Sequence, residues 1–304
     1  MRRILVTGAS GFIGRAVVAR LGAGDGAVHA ASRCPGQGGR GRQVHRLDLL
    51  DRQAVTQIMA AVRPTHLLHL AWATAPGTYW TSPENLEWVE ASLHLLREFA
   101  RWGGARAVVA GSCAEYDWQV GPCREEETPL RPRTLYGTCK DRLRAAAEAF
   151  AVQAGMGLAW ARVFFVYGPH EHPSRLVPSV IRALLRGAPA PCSSGTQRRD
   201  FLYVDDVGDA LVTLLGAGTA GAVNVGSGAA VAVRDVVERI GALMARPELV
   251  GLGAPGEAAD EPPLVVADVR RLHEGLGWSP RYDLEEGLTR TIAWWRERRE
   301  TGDA

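Results

Sequence analysis

The sequence has 304 residues, 46% of them hydrophobic, and a formal net charge of +2. This length suits one large α/β unit or two closely merged domains with a sizeable core. Basic and acidic residues are interspersed along the chain, so we expect neither a nucleic-acid partner nor a membrane partner. The five cysteines include no CxxC pair, and the N-terminal residues show no signal-peptide pattern. We therefore expect reduced thiols, no metal site and a cytoplasmic location.

Short apolar runs alternate with helical patterns along the chain, an order typical of a doubly wound parallel sheet. Strands are predicted at residues 4–7, 28–32, 66–71, 107–111, 159–165 and 222–225. Helices are predicted at residues 16–21, 54–62, 86–100, 134–154 and 284–300. The expected fold class is therefore α/β.

A glycine-rich turn follows the first predicted strand and opens the first predicted helix. Glycines in this context permit a tight turn, let the backbone approach a pyrophosphate and allow close packing of helix on strand. The N-terminus of the helix then stabilises the phosphate charge. The sequence therefore predicts a dinucleotide site that includes Gly8, Ser10, Gly11, Phe12, Ile13 and Gly14.

Lys140 is the only lysine among 35 lysine and arginine residues, and it lies four residues after Tyr136. On a helix this spacing places both side chains on one face. Lysine is a compact point charge, whereas arginine is a planar fork that always stays charged. A cation beside a phenol favours the phenolate and lowers the tyrosine pKa from its usual value of roughly 10. The pair therefore predicts a general acid/base.

These features resemble the extended short-chain dehydrogenase/reductases, a family of NAD(P)-dependent nucleotide-sugar epimerases, dehydratases and reductases. The resemblance rests on four motifs, namely the Gly-x-x-Gly-x-x-Gly loop at 8–14, Tyr136-x-x-x-Lys140, Arg-Val-Phe-Phe-Val-Tyr-Gly-Pro at 162–169 and Arg-Asp-Phe-Leu-Tyr-Val-Asp-Asp-Val at 199–207.

The resemblance implies a Rossmann-type doubly wound sheet with a smaller, discontinuous C-terminal α/β domain for the substrate. The dinucleotide-binding domain would span 1–165, with 200–228 returning to it, and the substrate-binding domain would comprise 166–199 and 229–304. A homodimer is also implied.

By the same resemblance, the catalytic residues are Ser112, Tyr136 and Lys140. Ser112 would orient the substrate oxygen, Tyr136 would transfer a proton, and Lys140 would hold the nicotinamide ribose. Sugar 4,6-dehydratases of the family carry acids at the positions of Cys113 and Ala114. We therefore do not expect a dehydratase.

The second predicted strand ends in Ser32 and Arg33. Domains that take NAD usually have an acid there, about 20 residues after the glycine loop. A hydroxyl and a guanidinium favour the 2′-phosphate of NADP instead. The sequence therefore favours NADP(H), with NAD(H) as the alternative. The resemblance adds four residues of the cofactor cleft, Asp48, Leu49, Leu70 and Ala71.

Two arginines, Arg175 and Arg199, are by resemblance the contacts to the nucleotide diphosphate, which suits bidentate pairing of arginine with phosphate. Two positions depart from the family pattern. Phe165 replaces an expected asparagine, and the position of a second phosphate-binding arginine falls near Ala258.

Residues 111–118, together with 162–165, look most like the 4-ketoreductase branch of the family, which makes unusual deoxysugars. The resemblance therefore predicts NADPH-dependent reduction of a nucleotide-linked 4-keto-6-deoxy sugar to the 4-hydroxy sugar. The alternative is a C4 epimerase of nucleotide sugars with tightly bound NAD. A regulator that binds the dinucleotide without turnover is disfavoured by the intact Ser112, Tyr136 and Lys140.

Overall fold

The computed structural model describes residues 2–34, 42–254 and 261–300. The strands are β1 Arg3–Thr7, β2 Ala27–Ser32, β3 Arg42–Arg46, β4 His66–His69, β5 Arg106–Ser112, β6 Gly157–Val163, β7 Phe165–Tyr167, β8 Ala190–Pro191, β9 Arg198–Tyr203, β10 Gly221–Val225, β11 Ala230–Ala232, β12 Val250–Gly251 and β13 Leu264–Val265. The helices are α1 Phe12–Arg20, α2 Arg52–Val62, α3 Glu84–Arg101, α4 Leu135–Ala154, α5 Leu176–Leu185, α6 Val204–Gly216, α7 Val233–Leu243, α8 Arg270–Leu276 and α9 Leu284–Glu300.

A seven-stranded parallel sheet forms the larger part of the molecule, in the order β10-β6-β5-β4-β1-β2-β3. The expected doubly wound, Rossmann-type fold class is confirmed. The edge strand β3 was not predicted, because its sequence Arg-Gln-Val-His-Arg is polar and its residues are half-buried or exposed. Such a strand has no apolar run, and only its pairing with β2 defines it.

Both faces of this sheet are covered by helices, as a parallel sheet requires. Side chains alternate along β1, so Ile4 and Val6 pack in the cluster that includes α1 and α6. Leu5 packs in the cluster on the opposite face, which includes α2, α3 and α4. Leu143 and Ala147 of α4 are buried in this second cluster within one chain. Their apolar character is therefore explained without a partner subunit, and the homodimer stays a prediction.

A smaller sheet is built around β9, which pairs with β7, β11 and β13. Helices α5, α7 and α9 pack on it through a separate core that contains Tyr167, Ile181, Ile240 and Trp295. After β9 and α6 the chain returns to the larger sheet, because β10 pairs with β6. The exact domain bounds stay a prediction. No helix in the described ranges is long and apolar enough to cross a membrane.

Candidate active site

A cavity of about 960 Å³ opens at the carboxyl ends of the larger sheet's strands. Thr7, Ser32 and Ser112, the last residues of β1, β2 and β5, all border it. Residues of the smaller sheet's layer, including Phe201 and Val233, close the other side. Ligands of doubly wound folds bind at this edge of the sheet. With the exception of Asp48, the predicted cofactor and substrate residues therefore meet in one space.

The glycine-rich turn forms one end of the cavity, and close backbone contacts explain its glycines. Gly8 has a φ of +70°, and a Cβ on it would lie 2.8 Å from the backbone nitrogen of Ala71. A Cβ on Gly14 would lie 2.0 Å from the carbonyl oxygen of Gly8. Gly11 precedes α1, and no side chain caps the N-terminus of that helix. An open helix terminus in a tight glycine cradle fits a dinucleotide pyrophosphate.

The rest of the loop, Ser10, Phe12 and Ile13, also lines the cavity. At the end of β2, buried Ser32 and exposed Arg33 both border it. Leu49, Leu70 and Ala71 line it as well. Asp48 is exposed, does not line the cavity, and accepts a hydrogen bond from the Leu50 N–H at 3.1 Å.

Helix α4 carries the tyrosine–lysine pair. The Thr134 hydroxyl caps its first turn by accepting a hydrogen bond from the Gly137 N–H at 3.1 Å. Tyr136 and Lys140 are both buried. The Lys140 Nζ donates to the carbonyl oxygen of Ala110 at 2.8 Å and lies 5.9 Å from the centre of the Tyr136 ring. The two side chains therefore share a face of the helix, as their spacing predicts.

Burial controls the pKa values of this pair. It lowers the pKa of Lys140 to about 7, and the negative charge of Glu115 opposes that change. It also raises the pKa of Tyr136 above its usual value, against the effect of a hydrogen bond with Ser112. The Tyr136–Lys140 spacing alone predicts the opposite, a lowered pKa for the tyrosine. The reason for the difference is that both side chains are removed from water, which disfavours the phenolate and the ammonium alike.

Ser112 lies at the end of β5, where its backbone and side chain are both anchored. Its N–H donates to Oε1 of Glu115 at 2.8 Å, and its hydroxyl oxygen accepts from the Ala114 N–H at 3.2 Å. The same hydroxyl also forms the hydrogen bond with Tyr136, so the candidate catalytic serine and tyrosine are in direct contact. Cys113, next to it, is buried, and burial raises the pKa of its thiol well above the usual value. This thiol is therefore poorly suited to act as a nucleophile.

Glu115 points away from the cavity into the sheet. Its Oε2 accepts from the Nε of Arg162 at 2.8 Å, and its Oε1 accepts from the Trp160 indole at 2.9 Å. The side chains of Glu115 and Arg162 are fully buried. A carboxylate held in this way is not available to remove a proton from a substrate. Glu115 is accordingly not among the described residues that line the cavity.

Aromatic rings surround the Tyr136 phenol. The ring centres of Trp72, Tyr79 and Trp80 lie 6.2, 5.0 and 5.6 Å from that of Tyr136, all at angles above 80°. The Lys140 Nζ lies 3.7 Å from the centre of the Trp72 ring, a close cation–π contact. These rings exclude water from the candidate catalytic pair and strengthen electrostatic effects there.

The two predicted substrate arginines lie in the cavity wall but differ in their contacts. Arg175 lies with its guanidinium carbon 5.2 Å from the centre of the Tyr79 ring and hydrogen-bonds to that residue. Arg199 is almost fully buried. It donates to the carbonyl oxygens of Arg198 and Pro262 and, at 2.7 Å, to Oε1 of Glu261.

Two acids that no sequence pattern predicts, Glu171 and Glu261, also line the cavity. Both lie in loops rich in proline, where no periodic pattern separates a buried acid from a surface one. Arg162 is the first residue of the motif at 162–169, and no local sequence signal predicts its burial beside Glu115. The position near Ala258 lies outside the described residues.

Comparisons with known proteins show which family the chain belongs to. A model of the NAD dependent epimerase/dehydratase family matches residues 4–226. UDP-glucuronic acid decarboxylase 1 of Xenopus tropicalis is 29% identical over 315 residues, which cover 97% of this chain and 72% of that protein. The crystal structure of UDP-glucose 4-epimerase with UDP-glucose from Thermotoga maritima has a TM-score of 0.87 at 25% identity, over 97% of this chain and 99% of that one.

A second solved structure, MoeE5 in complex with UDP-glucuronic acid and NAD, has a TM-score of 0.85 at 31% identity, again over 97% of this chain and 99% of that chain. The matched region contains the glycine loop, the strand end with Ser112, and the helix with Tyr136 and Lys140. This chain therefore belongs to the NAD dependent epimerase/dehydratase family and is an enzyme of that family.

Proposed function

We propose that the enzyme reduces a nucleotide-linked 4-keto-6-deoxy sugar to the 4-hydroxy sugar with NADPH. The observation that carries the proposal is the combination of Ser112, Tyr136 and Lys140 in a cavity whose cofactor end has Ser32 and Arg33 at the end of β2. A 2′-phosphate would meet a hydroxyl and a guanidinium there, and both bind phosphate well. The lining residues at the end of β2 include no acid within the described ranges.

The roles of the catalytic residues follow from their contacts. When bound, a reduced dinucleotide would supply the hydride that C4 of the sugar needs. Tyr136 donates its phenolic proton to the C4 oxygen, and Ser112 donates a hydrogen bond to the same oxygen. Together the hydride and the proton convert the ketone into the alcohol. Because burial raises its pKa, the Tyr136 phenol is protonated at neutral pH and holds the proton that the C4 oxygen needs. The charge of Lys140 beside it would favour the phenolate that proton transfer leaves.

Dehydration is a poorer fit. Elimination of water needs one group that removes a proton and another that delivers one. Cys113 is a buried thiol with a raised pKa, Ala114 has no acid, and Glu115 is paired with Arg162. The segment after β5 therefore offers no free carboxylate to the cavity.

A second candidate function is epimerisation at C4 of a nucleotide sugar with tightly bound NAD. It is favoured by the similarity to the UDP-glucose 4-epimerase of Thermotoga maritima over nearly the whole chain. NAD is also the dinucleotide named for MoeE5 in its complex. The same proton carrier, Tyr136, would serve an epimerase, so the cofactor separates the two candidates.

The test is to denature the purified enzyme and identify the released dinucleotide by mass spectrometry. If the enzyme is a reductase, the purified protein should contain little bound NAD. It should consume NADPH when a nucleoside-diphosphate 4-keto-6-deoxy sugar is added and form one alcohol per NADPH. One equivalent of NAD that survives dialysis, together with interconversion of UDP-glucose and its C4 epimer, would contradict the reductase function and support the epimerase function.

A charge-reversal variant tests the proposed phosphate contact directly. Arg33→Asp is expected to raise the KM for NADPH at least tenfold and to leave the KM for NADH unchanged or lower. Arg296→Asp, on the exposed surface of α9, is the matched control. Equal effects of Arg33→Asp on both dinucleotides would contradict a 2′-phosphate contact.

A further inference from the structure

Glu171, in the loop between β7 and α5, is a buried acid that the proposed chemistry does not use. Its side chain borders the cavity and the residue is only 9% exposed. Its Oε2 is buried and has no hydrogen-bond partner among the described residues. Buried polar atoms in folded proteins nearly always have a partner, and each exception needs an explanation. A ligand in the cavity is one source of the missing partner.

The surroundings of Glu171 place it on the substrate side of the cavity. Its charged neighbour is Arg175, which favours the carboxylate, as does the backbone of Gly168. Arg175 in turn hydrogen-bonds to Tyr79, whose ring centre lies 5.0 Å from that of Tyr136. Glu171 is therefore linked to the phenol that would face the reacting sugar by electrostatic attraction to Arg175 and then by the contacts of Tyr79. The nearby His172 ring is hydrogen-bonded with Ser174 instead.

The chemistry of the side chain limits what it can bind. A carboxyl group carries no positive charge and repels phosphate when it is ionised, so the diphosphate of a nucleotide sugar is a poor partner for Glu171. A hydroxyl or an amine can donate a hydrogen bond to the unpartnered Oε2, and the bond is stronger when the carboxyl group is ionised. These are the substituents that a sugar ring carries.

We propose that Glu171 is a specificity-determining residue that binds a hydroxyl or amino group of the sugar in a nucleotide-sugar substrate, with Arg175 beside it. The inference rests on the proposed function, since it needs a nucleotide-linked sugar in this cavity. It adds a recognition group that neither the glycine loop nor the catalytic residues supply. The carboxyl group has no reaction step of its own, and its role is to orient the ring before proton and hydride transfer.

The experiment is a calorimetric titration of the full-length protein with UDP, UDP-glucose, dTDP and dTDP-glucose. Glu171→Leu removes the hydrogen bond. Glu171→Gln has nearly the same size and keeps one acceptor oxygen but cannot ionise. Loss of this hydrogen bond is expected to weaken binding of the nucleotide sugar roughly tenfold in Glu171→Leu. Binding of UDP or dTDP, which lack the sugar, is expected to change less than twofold. Glu248→Gln, at an exposed site, is the control.

A second readout separates recognition from a structural role. An acid buried without a partner destabilises the ligand-free protein, so Glu171→Leu is expected to raise its melting temperature while weakening sugar binding. A lower melting temperature with equal losses for UDP and UDP-glucose would overturn the inference, as would a loss confined to the dinucleotide cofactor. If the unmodified protein binds none of the nucleotide sugars, the proposed function fails. If it binds them and Glu171→Leu binds them equally well, only the role of Glu171 fails.

Discussion

The Glu115 carboxylate and the Arg162 guanidinium form a fully buried ion pair, with 2.8 Å between Oε2 and Nε. The register of the sheet brings them together, because Arg162 on β6 stands opposite Gly111 on β5. The other carboxylate oxygen holds the backbone N–H of Ser112. Arg162 also donates to the Tyr116 hydroxyl, which itself donates to Asn224 on β10. The candidate catalytic serine is thus anchored to a polar network inside the sheet.

Replacing one partner of this pair is expected to destabilise the protein strongly, because the remaining charge is left buried and unpaired. Glu115→Gln or Arg162→Met should each lower the free energy of unfolding by about 3–5 kcal/mol. The double variant should lose less than the sum of the two single losses. Urea denaturation of all four proteins measures this coupling. Additive losses, or single losses below about 1 kcal/mol, the range of an exposed pair, would contradict the buried pair.

Lys140→Arg is expected to abolish most turnover although the charge is kept. The Lys140 Nζ fits between the Ala110 carbonyl oxygen and the face of Trp72, and a larger planar guanidinium cannot make both contacts in that space. Loss of effective proton transfer should lower kcat by roughly 10²–10⁴. Steady-state kinetics with the identified substrate measures the change. Arg142→Lys, the reverse exchange at an exposed site on the same helix, should leave kcat unchanged.

Circular dichroism must show that the Lys140→Arg variant is folded for this comparison to count. A folded variant with near-normal kcat would mean that Lys140 is present as a generic cation, and that its position as the chain's only lysine has no catalytic significance.

The pH dependence of stability provides a test of Glu171 that needs no substrate. Burial raises the pKa of this carboxyl to about 8. In the unfolded chain its pKa is roughly 4.3, so the folded state binds more protons between these values. The stability that the group contributes is therefore present at low pH and is lost as pH rises from about 4.3 toward 8.

The measurement is the free energy of unfolding of the unmodified protein and of Glu171→Gln at several pH values between 5 and 8. The difference between the two should grow in favour of the variant as pH rises. Taking the difference removes contributions from other titrating groups, including buried His69, whose pKa is lowered to about 3. A difference that stays constant over this range would show that the pKa of Glu171 is not raised.

The sequence specified the elements that carry strong local signals. Helix α4 begins after Thr134, whose side chain caps it, and ends before Gly155, which adopts a left-handed conformation. Its predicted bounds were accurate because both signals are local. The strand β1 was equally clear, because an apolar run buried on both faces has little polar interruption. The glycine loop and the Tyr136–Lys140 spacing are also local, and they identified the family.

Features that depend on tertiary contacts were not accessible in this way. Arg199 is predicted to contact a phosphate, and its pairing with Glu261, 62 residues away along the chain, has no local signal in the sequence. The raised pKa of Tyr136 comes from burial under aromatic rings that lie on other elements. Glu171 looks like an ordinary loop acid until the packing around it is known. In each case the decisive neighbour is distant in sequence.

In the proposed reduction, Tyr136 delivers a proton and a reduced dinucleotide would deliver a hydride to C4 of a nucleotide-linked keto sugar. The most direct test uses NADPH that carries deuterium at the transferring position, with a nucleoside-diphosphate 4-keto-6-deoxy sugar as the acceptor, and nuclear magnetic resonance of the product. With the unmodified enzyme we expect one deuterium at C4 per turnover. With Tyr136→Phe we expect the turnover rate to fall by roughly 10²–10⁴. A product without deuterium at C4, or undiminished turnover by Tyr136→Phe, would contradict the proposed reduction.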